Sequence, residues 1–166
     1  MIWGMTTSTF TLVHVVLSLV GMGAGVIVML GLLSGKQLNG WTALFLITTA
    51  ATSGTGFTFP FDHLLPSHKV GIVSLVILAL AILARYLFRL AGPWRRVYAV
   101  CAGLALYLNV FVGVVQAFEK VPVLSAMAPT QTEPAFVVTQ VGVLALFAVL
   151  TIVAAKRFRE APVRAA

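Results

Sequence analysis

Five long apolar stretches, separated by short polar breaks, order this chain. They cover residues 10–33, 41–59, 70–90, 97–118 and 136–155. A bilayer core of about 30 Å takes roughly 20 mostly apolar residues in helical form, so each stretch predicts one membrane-spanning helix. The breaks carry stop signals. Ser34-Gly35-Lys36-Gln37-Leu38-Asn39-Gly40 is a polar turn, Pro60 and Pro66 bracket the second break, Gly92-Pro93 marks the third, and Pro122, Pro129 and Pro134 fill the fourth. The expected fold is an all-α integral membrane protein, a single domain over residues 1–166 formed by a bundle of five transmembrane helices. The second stretch is the weakest, because Thr48, Thr49, Thr52, Ser53, Gly54, Thr55 and Gly56 fall within it. Its length and apolarity keep it in the count. No inverted repeat of the transporter kind divides the chain.

Composition agrees with a lipid solvent. Hydrophobic residues make up 60 % of the chain and charged residues 9 %, with a mean hydropathy of +1.06. A soluble domain has about 45–50 % apolar and about 25 % charged residues. An ordinary soluble domain, a disordered chain and a coiled coil are thereby excluded. The basic residues set an orientation. With the N-terminus outside, Lys36, Arg85, Arg89, Arg95, Arg96, Lys156, Arg157, Arg159 and Arg164 fall on the cytoplasmic side, and only Lys69 and Lys120 fall outside. That is a positive-inside pattern, with the C-terminus cytoplasmic. The net charge of +7 is then read as contact with anionic headgroups. The expected partners are the lipid bilayer and other membrane proteins, and no nucleic acid. No Lys or Arg precedes the first stretch, which is too long for a signal-peptide core, so it reads as a retained helix. The expected location is a bacterial inner (cytoplasmic) membrane, as a multi-pass protein.

Polar side chains are costly in hydrocarbon and face other helices or a cavity. On the first helix, His14, Ser18, Gly21 and Gly25 repeat at 4, 3 and 4, which is one face of a 3.6-residue period. On the second, Thr48, Thr52 and Thr55 share a face beside Thr49, Ser53 and Gly56. Hydroxyls bonded to their own i−4 carbonyls would satisfy these locally. On the fourth, Tyr98, Cys101, Ala105, Asn109, Val112 and Gln116 form a continuous polar or small stripe, which interhelical packing alone would explain. All three histidines fall on the outer side: His14 in the first helix, His63 in the second break, and His68 after Ser67, the expected N-cap of the third helix.

The outer half is therefore where a ligand is expected, with His14, His68, Asn109 and Gln116 as cofactor-binding candidates. A b-type haem takes axial imidazoles from facing helices, which His14 and His68 would supply. A quinone takes an apolar slot with a few hydrogen-bonding groups, which His14, Thr52, Tyr107, Asn109 and Gln116 would supply. A divalent metal would use His14, His63 and His68, completed by Asp62, Glu119 or Glu133. One cysteine excludes a disulfide framework within the chain and any Cys-rich metal site. No CxxCH, Gly-x-Ser-x-Gly, His-Glu-x-x-His or Walker A pattern occurs, and no catalytic residue is assigned. The leading expectation is a non-catalytic subunit or assembly partner of a larger membrane complex, of redox type. The alternative is a haem b- or quinone-binding electron-transfer protein with its site in the outer half.

Overall fold

The computed structural model describes residues 4–59 and 66–160. Helix α1 (Thr7–Leu33) starts where the Thr6 hydroxyl accepts the Thr9 N–H at 3.2 Å, a local N-cap. It stops at Gly35, whose φ of 67° is left-handed. There the Gly35 N–H reaches Leu32 O and the Lys36 N–H reaches Gly31 O, so the last carbonyls of α1 are satisfied by a Schellman turn. Next come α2 (Asn39–Thr55), a 3₁₀ turn (Gly56–Thr58), and α3 (Pro66–Ile82), which runs on through a π-helical turn (Leu83–Leu87). Helix α4 (Trp94–Lys120), the short α5 (Pro122–Met127) and α6 (Pro134–Glu160) complete the chain. Pro134 occupies the first helical position of α6, as its missing N–H permits, and Glu133 O caps the N–H groups of Phe136 and Val137.

Four helices are long and apolar enough to cross a membrane: Thr7–Leu33, Ser67–Leu87, Trp94–Lys120 and Pro134–Phe158. The all-α membrane class thus stands. Two details of the sequence reading change. Helix α3 is already helical at Pro66, so Ser67 lies within its first turn and is not its N-cap; a proline there needs no N–H donor of its own. The stretch 70–90 does not stay α-helical to its end. It widens into the π turn, and Arg89 and Leu90 take left-handed φ values of 49° and 57°.

Helix α4 lies at the centre, packed against α1, α3 and α6. Its inward residues are small, with Ala99, Ala102 and Ala105 buried, so neighbouring backbones approach closely. Gly103 marks the tightest approach: a Cβ there would run into the Thr151 side chain of α6. Tyr98, Phe45, Leu78, Leu106 and Phe158 fill the interior. Large apolar side chains such as Leu12, Ile47, Val76, Val138 and Val149 cover the outside. In a bilayer that surface faces hydrocarbon at no cost.

Helix α2 is fixed at both of its ends. Near its start, Asn39 Oδ1 accepts from Arg85 Nη2 at the end of α3, and Thr42 Oγ1 lies 3.2 Å from the Tyr98 hydroxyl at the start of α4. Near its finish, Ser53 donates to Ser74 of α3 at 3.2 Å, and Thr55 meets His14 near the start of α1 at 2.8 Å. It therefore runs along α1 and α3 from one end of the bundle to the other and meets α4 at Thr42.

Candidate ligand cavity

The first half of α1, the start of α3, the second half of α2 and the second half of α4 line an open cavity of roughly 740 Å³. His14, His68, Asn109 and Gln116 all line it, so the four residues singled out as cofactor-binding candidates meet at one space. Its volume lies in the range of small-molecule sites, about 300–1,000 Å³. Val15, Leu19, Met22, Leu108, Val112 and Phe59 supply apolar walls.

The α1 face defined by spacing is the one turned inward. His14 and Ser18 are half-buried, and Gly21 and Gly25 are buried. Ser18 donates to Asn109 Oδ1 at 3.0 Å, which fixes the Asn109 amide and turns its Nδ2 away from that partner. Two of the α2 hydroxyls are satisfied locally, Thr48 by Leu44 O and Thr55 by Ala51 O, each at 2.7 Å. Two are not. Thr49 Oγ1, Thr52 Oγ1 and Asn109 Nδ2 are all buried without a hydrogen-bond partner, and all three residues line the cavity. Thr49 is 1 % exposed and Asn109 8 %. An unpaired polar group in such surroundings costs about 1–3 kcal/mol, so three at one place need an account.

Gly21 shows how closely Thr49 and Asn109 converge. A Cβ on Gly21 would lie 3.1 Å from the Thr48 and Thr49 hydroxyl oxygens and 3.2 Å from Asn109 Nδ2. Glycine lets these polar groups close directly onto α1. The lining residues Thr49, Thr52 and Asn109 thus carry two hydroxyls and an amide NH₂ without a partner.

The outer end is aromatic and contains the two histidines. The single proton of the Thr55 hydroxyl goes to Ala51 O at 2.7 Å, so Thr55 Oγ1 accepts from the His14 Nδ1–H at 2.8 Å. That tautomer, assigned from the network, leaves His14 Nε2 as an acceptor, and no hydrogen bond to it exists among the described residues. The His14 ring stands edge-on to Phe59 with centroids 5.4 Å apart. His68 is buried and stacks on Phe57 of the 3₁₀ turn at 5.4 Å. Gln116 is exposed at the rim and donates to Glu119 at 3.3 Å, so it borders the entrance while Asn109 sits deep.

The remaining candidates are placed as follows. His63 and Asp62 lie outside the described residues. Glu119 lines the cavity rim and is paired with Lys120 at 2.7 Å. Glu133 is occupied by the Thr130 N–H and hydroxyl and the Thr132 N–H. Among the described residues no three His, Cys, Asp or Glu side chains gather as a metal site would. Tyr107 points elsewhere, with its ring between Phe111 and Phe147, each 6.1 Å away. Sequence reasoning did not separate Thr49 from its neighbours, because periodicity gives a face and not the bonding of each hydroxyl on it. Comparison with protein-family models, with curated proteins and with solved structures finds no match to this chain.

Proposed function

We propose that this protein holds a lipophilic carbonyl compound of the quinone class in the cavity between α1, α2, α3 and α4. The observation that carries the reading is the set of unpartnered polar atoms on Thr49, Thr52 and Asn109, which line a cavity with apolar walls. All three can donate, and a quinone carbonyl is an acceptor. His14 Nε2, at the outer end, would accept the hydroxyl proton of the reduced, quinol form. Apolar walls suit a ring and an isoprenoid tail. The test is organic extraction of the purified protein followed by chromatography with ultraviolet detection. A stoichiometric compound whose spectrum changes on borohydride reduction is expected. An extract holding no such compound, from protein that also fails to bind added quinone, would overturn the reading.

Two further readings have specific support. The open Nε2 of His14, with His68 on the same cavity, is the arrangement an axial haem b ligand would need, and a visible spectrum of the same sample with a Soret band would select it. A subunit role in a larger membrane assembly is supported by α6, the least covered of the four long apolar helices. The proposed topology has five crossings, with the N-terminus outside and the C-terminus in the cytoplasm of a bacterial inner membrane. Its support is the course of α2 along the whole bundle. Seventeen residues at about 1.5 Å and a three-residue 3₁₀ turn at about 2.0 Å per residue reach about 30 Å, which matches a bilayer core.

A further inference from the structure

The end of the bundle opposite the cavity is organised by the turn between α3 and α4. Arg89, Leu90 and Gly92 all have left-handed φ values, 49°, 57° and 49°, and the turn is held in that shape from several sides. Leu90 is buried and its N–H bonds to Ala84 O at 3.0 Å. The rings of Phe88 and Trp94 stack with centroids 3.8 Å apart and planes 3° from parallel. This turn frames a hollow of roughly 770 Å³, lined by Arg89, Arg95 and Arg96 with the turn residues between them.

Arg89 and Arg96 bring two like charges to this hollow, and these repel each other unless an anion joins them. Arg95 is largely buried and lies over the Phe158 ring at 5.3 Å, so it is fixed in place. Arg89 and Arg96 are exposed and form no ion pair with a carboxylate among the described residues. Helix α4 begins at this hollow with no side-chain cap and no acidic residue in its first turn, and its positive dipole end adds to the field.

We propose that this hollow is a binding site for a phosphate group, clamped by Arg89 and Arg96 against the wall formed by Arg95. The guanidinium fork matches phosphate oxygens in pairs, which an ammonium does not. Two sources carry this chemistry, an anionic phospholipid headgroup and soluble inorganic phosphate. The adjoining Tyr86 and Leu87 are exposed apolar side chains along which acyl chains would lie, which favours the lipid.

The test uses the full chain in nanodiscs of phosphatidylcholine mixed with phosphatidylglycerol, with retained lipids identified by native mass spectrometry. Wild type should retain phosphatidylglycerol preferentially. In the Arg89→Gln, Arg96→Gln double variant the preference should fall at least about ten-fold, through the loss of two guanidinium forks on one phosphate. A Lys36→Gln, Lys156→Gln variant removes equal charge from the same end but outside the hollow, and should keep the preference. Arg89→Lys with Arg96→Lys retains the charge and guards against misfolding; it should lose several-fold through loss of the paired hydrogen bonds. Inorganic phosphate that binds wild type in detergent and not the Arg-to-Gln variant, without any lipid preference, would support the site and make its ligand the soluble anion. Equal losses in the Arg and Lys double variants, or wild type that binds neither probe, would overturn the proposal.

Discussion

Asn109 shows how one side chain carries two separable roles. Its Oδ1 accepts from Ser18 and ties α1 to α4, while its buried Nδ2 has no partner. The first role is inexpensive to lose. Interhelical side-chain hydrogen bonds within a membrane bundle average about 0.6 kcal/mol, and Ser18 would turn to its own i−4 carbonyl. Removing the unpaired donor also relieves a desolvation cost. Asn109→Leu should therefore change the stability of the ligand-free protein by less than about 1 kcal/mol. Quinone affinity should fall roughly ten-fold, the loss of one hydrogen bond at about 1–1.5 kcal/mol. Gln140 provides the control. Its Oε1 is likewise buried and unpartnered, but it bonds Phe111 O from α6 and does not line the cavity. Gln140→Leu should leave affinity unchanged in the same titration, and an equal loss there would mean that Asn109 acts through packing alone.

At the scale of helices, the interhelical spacing was legible only in part. The 4-3-4 spacing of His14, Ser18, Gly21 and Gly25 identifies the buried face of α1, because lipid-facing positions have no reason to be small or polar at that period. The α4 stripe is legible for the same reason: Tyr98, Cys101, Ala105 and Asn109 are all buried. Its outer end is not, since Gln116 turns to Glu119 at the surface. The π turn of α3 left no sequence signal, because it answers to Leu90 and Arg85 finding buried places and not to local propensity. Gly103 was also silent in sequence. A Cβ there would overlap Thr151, whose β-branched side chain has little freedom to move aside. Gly103→Ala should destabilise the bundle by about 1–3 kcal/mol, and Thr151→Ala in the same chain should recover most of that. Unfolding in mixed micelles would measure the cycle, and strict additivity of the two changes would show that α4 and α6 do not meet as closely as described.

For the whole molecule, the decisive question is what α2 does in the bilayer. It is the helix whose sequence is least apolar in its second half, yet it links the Arg85 and Tyr98 end to the His14 end. If α1, α3 and α4 cross, a helix bonded to them at both ends crosses with them. The loops then alternate: residues 34–38 and the α3–α4 turn share the basic side, and the α4–α6 connection lies on the other. Were α2 to lie on one surface, the Lys36 turn would move to the side opposite the α3–α4 turn. Cys101 is 7 % exposed and will be unreactive toward a membrane-impermeant maleimide, so introduced cysteines can be read singly. Lys36→Cys and Ala91→Cys should both label only in inverted membrane vesicles, and Thr130→Cys only in intact cells. Lys36→Cys reacting from the same side as Thr130→Cys would remove α2 from the crossing helices. It would also move the outer cavity, because the His14 end of the bundle would no longer have a fixed relation to the membrane surface on which Thr130 lies.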